Sequence, residues 1–196
     1  MDEEGLSPDE NYYKEERWNN WIDRIRENEF DPEDEDSMML FFNLQDDITI
    51  ACVNILDLFK DGIIDEERCL DEIMKVRDTI MQEVNLGDED KMLMLEGVRT
   101  SLVAVIASCE AYLRNGAPED DSDVESYVLE AVDAEQEKKM DEALGYVSEA
   151  GAKIIDGEDF EIANVDDEID YGFVEETVNG LVSLEDAIGK PETIKE

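Results

Sequence analysis

Apolar residues recur along this chain at spacings of three and four, the period that gathers side chains on one face of a helix. Trp18, Trp21, Ile22 and Ile25 form the first such stripe. It is preceded by Ser7-Pro8-Asp9-Glu10, which reads as a capping serine, a proline at the first helical position and a glutamate completing a capping box. Phe30 to Ser37 (FDPEDEDS) is an acidic linker, with Ser37 the expected cap of the next helix. That helix carries Leu40, Phe41, Leu44, Ile48, Ala51, Cys52, Ile55, Leu56 and Phe59, and stops at Lys60-Asp61-Gly62.

A third helix is expected from Asp65 through Cys69, Leu70, Ile73, Met74, Ile80 and Val84, with Arg77 the one polar member of its inner stripe. After the turn Asn85-Leu86-Gly87-Asp88, a fourth runs through Leu95, Val98, Leu102, Val105, Ile106, Cys109 and Tyr112 to Asn115-Gly116. Gly62, Gly87 and Gly116 stand where a helix end turns left-handed, a conformation that glycine adopts without steric penalty. The four prolines, at 8, 32, 118 and 191, leave the long stretches between them free to be helical. Three long helices joined by short loops are expected to stack antiparallel.

Beyond the loop at 117–123, Val124, Tyr127, Val128, Ala131 and Val132 mark one short helix, and Met140, Ala143, Leu144, Val147, Ala150 and Ile154 its partner. This pair matches a tetratricopeptide hairpin at Tyr127, Ala131, Ala143, Val147 and Ala150, but Glu130 stands where leucine is wanted and nothing recurs 34 residues earlier. Residues 157–170 are acidic, poor in apolar side chains, and read as a loop. A last helix spans about 171–188 through Val174, Val178, Leu181, Val182 and Ile188. No segment alternates as a strand would. The expected fold is therefore all-α: an antiparallel bundle of three long central helices, an N-terminal aromatic helix, a C-terminal hairpin and one further helix. It forms one domain over 1–196, with 37–116 its core bundle and 117–196 an acidic helical part.

Charge changes the functional picture more than the structural one. The 196 residues hold 57 Asp+Glu, 16 Lys+Arg and no histidine, a net charge of −41. Residues 117–196 alone carry 26 acids and 5 bases. With 42% hydrophobic residues this is not a disordered acidic chain. Nucleic-acid backbones and anionic membranes are disfavoured as partners, because both require clustered cations. The missing histidine excludes Ser-His-Asp and Cys-His catalysis, HExxH zinc chemistry and histidine-ligated haem. The N-terminus MDEEGLSPDE lacks the basic start and apolar run of a signal peptide. The longest uninterrupted apolar runs, 38–42 and 102–107, fall far short of the ~20 residues of a membrane helix. Three cysteines without CxxC spacing point to free thiols in a reducing cytoplasm.

Candidate chemistry follows from spacing. Glu66, Glu67, Asp71 and Glu72 place carboxylates on one helix, as the Mg²⁺-binding helices of all-α nucleotide pyrophosphohydrolases do, and Glu175-Glu176 is a second set. With 57 acids in 196 positions, about 16 pairs three apart arise by chance, and no cation cluster accompanies these to hold phosphates. Residues 57–68 approximate a calcium loop through Asp57, Asp61, Gly62 and Asp65, yet Phe59 and Arg68 occupy two ligand positions, so a helix hairpin is the better account. Folding about residues 63 and 86 brings Cys52, Cys69 and Cys109 within about two turns of one level, where they serve either as core or as a thiolate metal site. Tyr12, Tyr13, Trp18 and Trp21 either clamp the first helix to the bundle or anchor a partner.

The stretches YYKEERWNNWIDRI (12–25) and LFKDGIIDEERCLDEI (58–73) resemble the uncharacterised acidic helical families of archaea, those of methanogens above all. The resemblance covers most of the chain, implies an all-helical fold and carries no catalytic motif. The expected function is a non-enzymatic interaction or adaptor module, without cofactor, meeting a basic protein partner. The alternative is a Mg²⁺-dependent pyrophosphohydrolase-like enzyme, and a salt-rich cytoplasm is a second explanation of the acidity. Met38, Met39 and Phe42 lie partly outside the main stripe and mark a candidate homodimer contact.

Overall fold

A computed structural model of the chain describes residues 12–165, 168–170 and 172–189. Among these, all regular structure is helical: α1 Glu15–Glu27, α2 Glu35–Lys60, α3 Glu66–Ile80, α4 Glu89–Asn115, α5 Val124–Gln136, α6 Met140–Asp156 and α7 Phe173–Gly189, with a 3₁₀ turn at Ile162–Asn164. The expected cap at Ser7 to Glu10 lies outside the described residues. Tyr12 and Tyr13 precede α1 instead of belonging to it.

The predicted boundaries hold best where a carboxylate caps. Asp65 and Asp88 accept the backbone N–H of Arg68 and Lys91, at 2.9 and 3.0 Å, fixing the starts of α3 and α4. At the α2–α3 turn Gly62 is left-handed, and the amides of Ile63 and Ile64 return to the Leu58 carbonyl. The 57–68 segment is thus a helix hairpin. Ser37 lies inside α2, which begins after Asp34, and its hydroxyl bonds the Asp34 carboxylate. α3 has only 15 residues and ends at Ile80, before Val84. Its inner stripe runs through Val76, while Arg77 points to solvent and pairs with Asp78. The expectation of Arg77 as an inner residue fails because one position of phase error rotates a helical residue by about 100°.

The short turns alternate helix direction, so α2 and α4 run the same way, with α3 folded back against both. Met38 and Phe42 of α2 adjoin Leu93 and Met94 of α4 at one end, and Lys60 stacks over the Tyr112 ring at the other. The C-terminal helices are not an appendage to this trio. α4 packs most extensively on α6 and α7, and one apolar core runs continuously from Tyr13 to Leu184. Small residues make this possible. A Cβ on Gly180 would stand 2.1 Å from the Ser101 carbonyl oxygen, and one on Gly151 would stand 1.8 Å from the Ser108 hydroxyl. α7 therefore meets α4 nearly backbone to backbone, and α6 approaches it with the short Ser108 side chain between them.

The segment between α6 and α7 returns along α5 and is fastened by acids. Glu125 accepts from the Glu161 amide, and Glu135 at the far end of α5 accepts from Phe173 and Val174, two of the otherwise unpaired first amides of α7. Glu185 holds the Phe160 amide, and the Phe160 and Val165 side chains are buried. The segment is a loop, as its composition suggests, but one that contributes two side chains to the core.

Candidate functional site

The residues singled out by sequence separate into an aromatic cluster that is buried and fastened, an acidic row split between two faces, three thiols brought together without ligand geometry, and one face that stays open. Tyr13 and Trp18 have no exposed surface, and Trp21 is half-buried. Trp21 Nε1 donates to Asp47 Oδ2 at 2.8 Å, and Arg17 grips both oxygens of the same carboxylate. Burial, and secondarily the nearby Asp47 charge, hold the Tyr13 hydroxyl well above its usual pKa. This aromatic cluster clamps α1 to α2, so Tyr13 and Trp18 offer a partner no surface.

The acidic row of α3 splits between two faces. Glu66 and Glu67 are exposed. Asp71 is exposed too and pairs with Lys75 at 2.7 Å, a bond that, with Arg68 nearby, holds its carboxyl below the usual range. Glu72 is fully buried, ringed by Arg68, Lys75 and the Tyr12 amide. Asp71 and Glu72 are thus engaged in ion pairs within α3, and among the described residues no group of three or more Cys, Asp or Glu has metal-holding geometry. Cys52, Cys69 and Cys109 do come together, each buried and free, close enough that Cys69 acts on Cys52 and both act on Cys109. Burial first, and then the neighbouring thiol, push Cys52 up to about 12; burial, and then Glu72, do the same for Cys69. Cys69 Sγ donates to the Ile55 carbonyl. These are protonated core thiols at neutral pH.

What remains open is a groove of about 550 Å³ between the N-terminal half of α2, the first turns of α4 and the start of α7. Its geometry follows from the Gly180–Ser101 contact. That crossing brings α7 onto α4, where the Ser101 hydroxyl donates to the Glu176 carbonyl at 2.7 Å. Gln45 of α2 ties the third wall by donating to Ser183 Oγ at 2.7 Å and to the Asn179 carbonyl. Gly97 leaves the floor low, since a Cβ there would meet only Glu176 Oε1, at 3.9 Å. Met38, Phe42, Met94, Val98 and Val182 supply an apolar lining, which spreads outward over Phe42, 47% exposed, and Leu93, 68% exposed.

Asp46, Glu175 and Glu176 line the same groove, and among the described residues none is paired with a lysine or arginine. Glu175 Oε2 is buried without a hydrogen-bond partner. The sequence signal was half present: Met38 and Phe42 had been marked as off-stripe. Glu175-Glu176, the second candidate carboxylate set, also lies here, whereas Leu93, Gly97, Asn179 and Ser183 carry no sign of it, because a groove between three helices is a property of their crossing.

α2 and α4 are each long and apolar enough to cross a bilayer by length and composition, unlike the short apolar runs in the sequence; in the folded chain, however, 56% of each window is buried by other helices. Core helices of folded proteins meet the same criterion. No curated protein and no solved structure matches the chain. One family model does, over residues 11–196, and the chain belongs to that archaeal family, described as an uncharacterized protein conserved in archaea (DUF2150).

Proposed function

We propose that this chain is a non-enzymatic interaction module that meets a basic protein partner, and that the face built by α2, α4 and α7 is where it does so. The observation that carries this is the apolar groove with Phe42 and Leu93 exposed on its wall. Large apolar side chains gathered beside a concave surface are a mark of binding sites, whereas scattered exposed ones are ordinary. The surplus of acids supports a cationic partner, since dense one-sign charge accelerates encounter with its opposite and makes association salt-sensitive.

The test compares wild type with a Phe42→Ser, Leu93→Ser double variant as bait in lysate of the source organism, at low and high ionic strength. A protein retained by wild type at low salt, and lost both at high salt and from the variant, supports the reading. Identical captures by the two baits, or nothing captured, sink it.

A further inference from the structure

The groove has an unmet requirement that identifies its occupant more closely. A buried carboxylate oxygen without a donor is among the costly arrangements in a protein interior, and a cation supplied from outside satisfies it with a charge-assisted bond. Glu175 Oε2 is such an atom, and two more carboxylates without a lysine or arginine partner stand on the same walls, Glu176 and Asp46, the latter accepting only from Ser183 Oγ. Among the described residues, the lysines and arginines of the three wall helices are engaged elsewhere. On α2, Lys60 donates to the Ile155 carbonyl. On α4, Lys91 holds the Asn28 carbonyl, Arg99 the Ile80 and Gln82 carbonyls, and Arg114 pairs with Glu110. α7 has no lysine or arginine within Phe173–Gly189.

We infer that the α2–α4–α7 groove receives an amphipathic basic helix of a partner protein, seating one large apolar side chain between Phe42 and Val98 and directing a lysine or arginine to Glu175. This rests on the interaction reading above and adds the mode of docking. A second copy of the chain fits poorly, because a two-fold contact would set Asp46, Glu175 and Glu176 against their own duplicates. A small molecule would leave Phe42, Leu93 and the 48%-exposed Met39 bare beyond the groove walls. An extended strand finds no sheet edge to join, since the three walls are helices, and the helix-in-groove mode suits such walls.

The experiment titrates the full chain into a fluorescein-labelled amphipathic peptide bearing leucines at i, i+4 and i+7 flanked by lysines, with a glutamate-flanked peptide as control, and reads anisotropy at low salt. The basic peptide binds and the acidic one does not. Glu175→Gln weakens binding about tenfold. Gly97→Leu, which fills the floor, weakens it at least as much. Glu67→Gln, an acid on the exposed face of α3, changes it less than about twofold. Circular dichroism confirms that each variant retains wild-type helicity.

Equal weakening by Glu175→Gln and Glu67→Gln overturns the groove as the seat while leaving a diffuse acidic interaction surface intact. Binding of neither peptide overturns the basic-helix occupant, and the interaction reading is then judged by its own capture experiment. A concentration-dependent dimer in sedimentation that Leu93→Ser dissolves would show the groove filled by a second copy, and would overturn the inference as well.

Discussion

α1 and α7 are both held on the bundle, by opposite means. α1 is fastened by bulk and charge: Trp18 and Tyr13 buried, Asp47 gripped by Arg17 and Trp21, and Lys91 reaching from α4 to the Asn28 carbonyl at 2.6 Å. α7 also buries aliphatic side chains, but its approach to α4 depends on the absence of bulk, with Gly180 against the Ser101 backbone and the Ser101 hydroxyl bridging the two helices. A junction of large side chains loses its contacts one residue at a time. A junction of touching backbones is lost when a single carbon is added.

Gly180→Leu is therefore expected to be the most damaging change. Its Cβ would fall 2.1 Å from a backbone oxygen that cannot rotate away, so α7 must lift from α4. The loss should exceed about 4 kcal/mol, beyond ordinary overpacking, and appear in urea melts as a chain that barely folds. Gly151→Ala sharpens the contrast, because its clash is with the Ser108 side chain. Ser108→Gly should recover most of that loss, and no such rescue exists for Gly180.

The same contrast explains which parts of the fold were legible. Large apolar residues at helical spacing announce themselves, so α2, α4 and the hairpin turn at Gly62 could be read directly. Gly97, Gly151 and Gly180 register in a sequence as weak points of a helix, and only the crossing shows that they are what lets α6 and α7 approach α4. Arg77 misled because it held a stripe position that Val76 in fact occupies. The acids of 117–196 read in the sequence as a solvated or partner-facing surplus, yet Glu125, Glu135 and Glu185 fasten the return segment through backbone amides, which charge counting does not see. The groove escaped notice for a related reason: its walls come from residues about 50 to 140 positions apart.

Trp18→Ala tests the other side of the comparison. Removing a wholly buried indole should cost about 3 kcal/mol. Because α1 packs sparsely on α2 and α3 and meets α4 mainly through Lys91, the expected result is release of α1 with most helicity retained. Proteolysis within Glu15–Glu27, with the remainder protected, would show it; cooperative loss of the whole bundle would contradict the division drawn here. Asp47→Ala is a smaller version of the same break. It strips Trp21 Nε1 and Arg17 of their acceptor and should cost about 1–2 kcal/mol, because Arg17 itself is half exposed.

The thiols define a third junction, where α2, α3 and α4 meet through residues of middling size, and the expected effect there is the smallest. Cys52 and Cys69 are pushed up to about 12 by burial, so at pH 8 all three thiols, Cys109 included, should resist a disulfide reagent in the native chain and react together in urea. The sign with pH follows from the raised values. Stability from the protonated thiols is fully present below the ordinary thiol range of about 8.5 and drains away as pH climbs from there toward 12. If one thiol reacted quickly without denaturant, the α2–α3–α4 junction would open more readily than α1 does. The ranking of firm and loose regions would then have to be redrawn around it.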